Sequence, residues 1–88
     1  MVMYTLYFTK QAQKDAKKLT KHRLKSKVKK LLDLIQHDPY QSPPPFEKLV
    51  GDFTGAISRR INIQHHLVYQ VLEQDNAIKI IRMWTHYE

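Results

Sequence analysis

An α+β fold is what this sequence predicts: an antiparallel sheet with an N-terminal α-hairpin packed on one face, in the order β-α-α-β-β-β-β. Three observations predict it. The chain opens on an aromatic and β-branched run, continues through two segments with helical apolar spacing, and ends in a stretch patterned as strands throughout. At 88 residues there is room for one hydrophobic core, so residues 1–88 are read as a single domain.

Met3 to Phe8 forms the first strand, because aromatic and β-branched side chains suit a pleated, half-buried surface. Thr9 then stands where a helix N-cap belongs, with a hydroxyl able to accept from a free amide of the first turn. Behind it Ala12, Ala16 and Leu19 recur at helical spacing and make a narrow apolar stripe. The second helix is marked more strongly. Leu24, Val28, Leu31, Leu32 and Ile35 share one face, and Lys25, Lys27, Lys29 and Lys30 cover the remainder. Asp38-Pro39 ends it, since proline disfavours helical backbone in the residue before it. The reversal between the helices falls around residues 20–23.

Residues 39–46 read as a stiff surface strap, because consecutive prolines cannot donate to a ladder. Glu47 to Val50 is a short strand before a turn carrying Gly51-Asp52 and Thr54-Gly55. Ile57, Ile61 and Ile63 then alternate with Ser58, Arg60 and Asn62, which gives a strand with one apolar and one polar face. Arg59 falls on the isoleucine side of that alternation and is expected to snorkel outward or to mark a bulge. Leu67 to Leu72 is apolar apart from Gln70, as a central strand covered on both sides would be. Asp75-Asn76 signals a hairpin turn, and Ala77 to Trp84 returns as the last strand.

The lack of cysteine excludes disulfides, thiolate zinc sites and cysteine nucleophiles. The start is apolar, without a basic lead or a cleavage site, and no stretch nears the ~18 apolar residues of a membrane span. A cytoplasmic protein with no membrane partner is therefore expected. Lys and Arg number 15 against 8 Asp and Glu, a net charge of +7. An excess of that size in a short chain favours a polyanionic partner: nucleic acid, an acidic protein, or both. Metal binding suits the five histidines poorly. His65 and His66 are adjacent on a strand and point to opposite faces, while His22 and His37 show no ligand spacing. No metal and no cofactor are expected.

The residues suited to chemistry gather on the polar side of the sheet. Arg60 lies on the polar face of its strand, and His66 follows six residues later. His86 and Tyr87 close the final strand, and Glu47 precedes the turn that feeds the Arg60 strand. In an antiparallel meander these strand ends converge on one surface. Such a set suits RNA cleavage by the 2′-hydroxyl, which needs a base, an acid and cations around the developing phosphorane. On this reading Glu47 is the base, His86 the acid and Arg60 the electrostatic stabiliser. DNA is spared, because it lacks the nucleophile. Each residue also has a plainer fate. Glu47 reads as a solvated carboxylate, Arg59 and Arg60 as phosphate contacts without catalysis, and His86 and Tyr87 as a fraying terminus. The residues alone stop at a basic α+β domain with a candidate nuclease site.

Several blocks taken together go further. Glu47-x-Leu49 with the following Gly55, Ser58-Arg59-Arg60-Ile61, His65-His66-Leu67-Val68-Tyr69 and the terminal His86-Tyr87 resemble the Txe/YoeB toxins of bacterial toxin–antitoxin modules, within the RelE/ParE superfamily. The resemblance spans essentially the whole chain and implies a RelE-like, microbial-RNase-like fold. It implies a metal-independent, ribosome-dependent endoribonuclease that enters the A site, cuts mRNA there and inhibits translation. By position it makes Glu47 the general base and His86 the general acid, with Arg60 and Tyr87 holding or orienting substrate. A cognate antitoxin and the ribosome with its mRNA are the partners it implies. Homodimers occur in the family, and the apolar Met1-to-Phe8 edge is the candidate surface for one.

One departure matters: the family usually has Arg where this chain has His66. A neutral imidazole is a weaker and pH-dependent substitute for a fixed cation. Losing a preorganised charge at such a site costs on the order of 10²–10³ in rate. The resemblance therefore implies an attenuated toxin, with His66 in the transition-state role. Two other readings stay open at this point. One is a gyrase-binding toxin of the ParE branch on the same fold, which needs neither acid nor base. The other is a basic nucleic-acid-binding module, whose affinity would collapse with salt and yield no cleaved product.

Overall fold

Two helices cover one face of a five-stranded sheet in the computed structural model, which describes residues 3–21, 23–42, 45–49, 55–62 and 65–83. Strand β1 (Thr5–Phe8) leads through Thr9 into α1 (Lys10–Lys21). The Thr9 hydroxyl accepts from the Ala12 amide at 3.0 Å and donates to the Ile81 carbonyl at 2.9 Å. The expected N-cap thus also ties α1 to the last strand. The reversal places Arg23 in left-handed backbone (φ 60°), and the Leu24 amide closes back on the Leu19 carbonyl. Helix α2 (Lys25–His37) follows, with Leu24 at its N-cap. Asp38 then leaves the helix in extended backbone, as the following proline requires.

The remaining strands are β2 (Phe46–Lys48), β3 (Ala56–Arg60), β4 (His66–Leu72) and β5 (Ala77–Arg82), and the sheet order is β1-β5-β4-β3-β2. From β2 to β5 every neighbouring pair is antiparallel. The first strand differs from the antiparallel expectation: β1 joins β5 in parallel, Thr5 opposite Ala77 and Phe8 opposite Ile80. No turn links these two strands, so nothing forces them to run in opposite directions, and the sheet is mixed. Strand β4 is central, as its apolar run predicts. The β4–β5 turn is a single 3₁₀ turn at Glu73–Asp75, closed by Asn76 in left-handed backbone.

The main core lies between the helices and the sheet. Ala12, Leu19, Val28 and Ile35 pack there against Ile57, Leu67, Tyr69, Ile78 and Ile80. A smaller cluster of Leu49, Ala56 and Val68, with Ile81 against it, sits on the other face. Ile81 lies on that side by alternation from Ile80, and the β4–β5 register shifts beside it, between Val68 and Tyr69. Strand β3, where a bulge was one of two expectations for Arg59, is regular against both of its neighbours. Among the described residues no helix is long and apolar enough to cross a membrane.

Candidate active site

Strand register decides which polar side chains meet. Glu47 on β2 lies opposite Ser58 on β3, and Arg60 on β3 lies opposite His66 on β4. Because side chains alternate along a strand, Ser58 and Arg60 share the face turned away from the helices. Glu47 and His66 join them there. The four line one cleft of about 370 Å³ together with Pro45 and Phe46.

The turn between β3 and β4 fixes the Arg60–His66 pairing. Asn62 accepts the His65 amide on its side-chain oxygen at 2.8 Å, and the Ile61 amide donates to the His65 carbonyl at 2.8 Å. His65 is consequently buried, and His66 emerges as the first residue of β4, half-buried at the cleft. Glu47 and Arg60 are exposed. Neither forms a hydrogen bond or an ion pair among the described residues. Ser58 is 3% exposed and forms part of the cleft lining, a place that alternation assigned it without suggesting a role.

Arg59 requires a correction. It was expected to contact substrate phosphates, either by snorkelling or through a bulge, but it is 1% exposed and strand β3 is regular around it. Its Nε donates to the Tyr69 hydroxyl at 2.9 Å, and its Nη2 donates to the carbonyls of Pro39 (3.1 Å) and Gln41 (2.7 Å). The guanidinium also lies 4.8 Å from the Phe46 ring centroid. Five donors in a planar fork satisfy several carbonyls at once, which is how a cation is held in the core without an acid. Tyr69 adds its own donation to Pro39 at 2.7 Å. The strap is accordingly pinned from beneath, and its first proline is buried rather than on the surface.

A second buried ionic group went unrecognised in the sequence. Asp15 of α1 is fully buried, and its carboxylate accepts from Arg82 Nε (2.9 Å), the Met83 amide (3.1 Å) and the Gln11 side chain (3.1 Å). Burial alone would push its pKa up. The Met83 amide, Arg82 and Gln11 outweigh that and hold it below the ordinary value of 3.8. The available signal was phase: Asp15 falls three residues after Ala12 and four before Leu19, on the apolar stripe. Among the described residues no group of His, Asp and Glu side chains is arranged to hold a metal ion. His86, Tyr87 and Trp84 lie outside the described residues.

The fold agrees with the comparisons. The family model described as YoeB-like toxin of bacterial type II toxin–antitoxin system matches residues 8–87. The chain belongs to this YoeB-like toxin family. Toxin YoeB of Synechocystis sp. is 34% identical over 86% of this chain and 80% of its own length. A YoeB/ParE toxin structure from Agrobacterium tumefaciens superposes with a TM-score of 0.85 at 27% identity, covering 94% of this chain and 99% of that one. A chain of the YoeB–YefM complex from Staphylococcus aureus gives 0.80 at 34% identity, covering 96% of this chain and 98% of that one. The α+β architecture of this YoeB-like chain is therefore the one its relatives share.

Proposed function

We propose that this YoeB-like toxin is a ribosome-dependent endoribonuclease that cuts mRNA in the A site through the RNA's own 2′-hydroxyl. The observation that carries the reading is the meeting of Glu47, Arg60 and His66 in one cleft, with the carboxylate and the guanidinium unengaged among the described residues. An enzyme needs such groups free, whereas a purely structural pair would close on itself. Glu47 takes the 2′-OH proton as the new O2′–P bond forms. Arg60 and His66 face the negative charge that builds on the phosphorus oxygens. The P–O5′ bond breaks and His86, the acid implied by the family resemblance, protonates the departing oxygen. The products are a 2′,3′-cyclic phosphate and a 5′-hydroxyl. Tyr87 completes the set as a substrate-orienting residue.

Charge distribution supports dependence on the ribosome. Ten of the fifteen Lys and Arg residues fall between Lys10 and Lys30, where Asp15 is the only acid. That charge sits on the helical hairpin, behind the sheet, while the cleft itself carries Arg60. A cleft with so little charge is poorly equipped to capture free RNA. A scaffold that engages the hairpin and presents the mRNA supplies what the cleft lacks. The same basic surface suits an acidic antitoxin. The Staphylococcus aureus relative was solved in complex with YefM, and a cognate antitoxin that silences this chain is the corresponding partner here.

The test is cleavage mapping on purified programmed ribosomes, comparing the chain with His66→Arg. Cutting within the A-site codon by both supports the reading, and the Arg form is expected to be faster by up to about 10²-fold. Cutting by the Arg form alone shows that the site is right and this chain is attenuated. No cutting by either form overturns the RNase reading, and gyrase inhibition is then the assay for the ParE-type alternative.

A further inference from the structure

Ser58 lies at the floor of the cleft, its Oγ closed off from solvent and without a hydrogen-bond partner among the described residues. Buried hydroxyls nearly always find partners, because taking one out of water without replacement is unfavourable. What surrounds it narrows the choice of partner. On the β4 side its cross-strand neighbour is Val68, which is apolar, and two residues along its own strand is Arg60, which only donates. On the β2 side its direct cross-strand neighbour is Glu47. Side chains directly opposite each other have Cβ atoms about 4.5–5.5 Å apart, well within the reach of a glutamate. An ionised carboxylate accepts and never donates, which matches an unengaged O–H.

We propose that Ser58 is the positioning residue for Glu47. This rests on the ribonuclease reading above and adds the group that holds its base. In the free protein the Glu47 side chain extends into solvent. With RNA in the cleft it lies across the floor, and one carboxylate oxygen accepts the Ser58 hydroxyl. The other oxygen is then aimed at the 2′-OH. A long, flexible side chain becomes a base of fixed orientation, which is where much of the rate of a general-base reaction resides. Ser58 itself touches neither the phosphate nor the 2′-OH.

The experiment measures single-turnover mRNA cleavage on programmed ribosomes with the full chain, Ser58→Ala, Glu47→Gln and the double variant. Ser58→Ala is expected to lower the maximal rate roughly 10-fold or more, as loss of a hydrogen bond to a charged group does. The half-saturating toxin concentration should stay unchanged and Tm should not fall, since ribosome binding does not use this hydroxyl and its burial without a partner gives the fold nothing. In the Glu47→Gln background, adding Ser58→Ala should change nothing further. A Ser58→Ala rate equal to the parent overturns the proposal. So does an equal fractional loss in both backgrounds, which would make Ser58 independent of Glu47. If the parent chain itself does not cut, the ribonuclease reading fails, a result separable from either of these.

Discussion

Arg59 and Arg60 are neighbours on one strand, yet alternation sends one guanidinium under the proline strap and the other into the cleft. The two faces of the sheet differ in the same way. On the helix-covered face two buried ionic groups are engaged: Asp15 with Arg82, Met83 and Gln11, and Arg59 with Tyr69, Pro39 and Gln41. On the open face, Glu47 and Arg60 are unengaged among the described residues, and Ser58 is buried without a partner. One face uses polarity to fix the fold. The other leaves it unengaged, which on the proposed ribonuclease reading makes it available for a substrate.

The largest expected effect tests the open face. Glu47→Gln should lower A-site cleavage by about 10²–10⁴, the usual contribution of a general base. Because Glu47 is exposed and unpaired, its Tm should barely move, with stability within about 0.5 kcal/mol of the parent. A large fall in Tm would erase the distinction between the faces.

Next comes the arginine pair. Arg59→Met should destabilise by about 3 kcal/mol, because it removes several buried hydrogen bonds and leaves carbonyls of the strap without donors. For a domain whose total stability is on the order of 5 kcal/mol, that approaches unfolding. Arg60→Met should leave stability within about 0.5 kcal/mol and reduce cleavage. Urea titrations and cleavage assays on both variants decide it. A stable Arg59→Met protein would mean that the core cation is dispensable.

What could be read from the sequence follows from this division. Helical periods located both helices and alternation located β3, because burial of one face imposes those periods directly, while β1 and β4 followed from their apolar runs. Glu47, Arg60 and His66 were legible for a related reason: alternation placed Arg60 on the polar face, and an antiparallel meander brings the strand ends that carry the other two to the same surface. Arg59 and Asp15 were not. A charged residue in phase with isoleucines or alanines looks like an exception to be pushed outward. Its actual fate depends on carbonyls and amides supplied by distant segments, which no local pattern announces. The parallel β1–β5 pair was missed because neither strand carries a signal of its partner's direction.

Acid titration probes the helix-covered face with a smaller effect. The pKa of Asp15 is lower folded than unfolded, so the group stabilises the fold at pH values above its unfolded pKa, near 3.8. That contribution is lost as pH falls below 3.8 through the folded value. Asp15→Asn should cost about 2 kcal/mol at neutral pH, discounted because Arg82 is partly exposed. Its stability should also fall less steeply than the parent's at the acid end. Parallel acid curves for the two proteins would assign the acid sensitivity to other carboxylates.

The smallest effect asks whether the two faces are independent at all. Tyr69→Phe removes the donation to Pro39 and the acceptor for Arg59 Nε, but the Pro39 carbonyl keeps its bond from Arg59 Nη2. The cost should be about 1 kcal/mol. The strap so loosened runs directly into β2, which carries Glu47. Pairing with β3 fixes β2 separately, through Phe46 opposite Arg59, Glu47 opposite Ser58 and Lys48 opposite Ile57. Cleavage by Tyr69→Phe should therefore stay within about twofold of the parent, since an error of a few tenths of a kcal/mol is all that this register should transmit. A larger loss of cleavage at the same small cost in stability would show that the strap holds the base in place, joining the buried network to the open cleft.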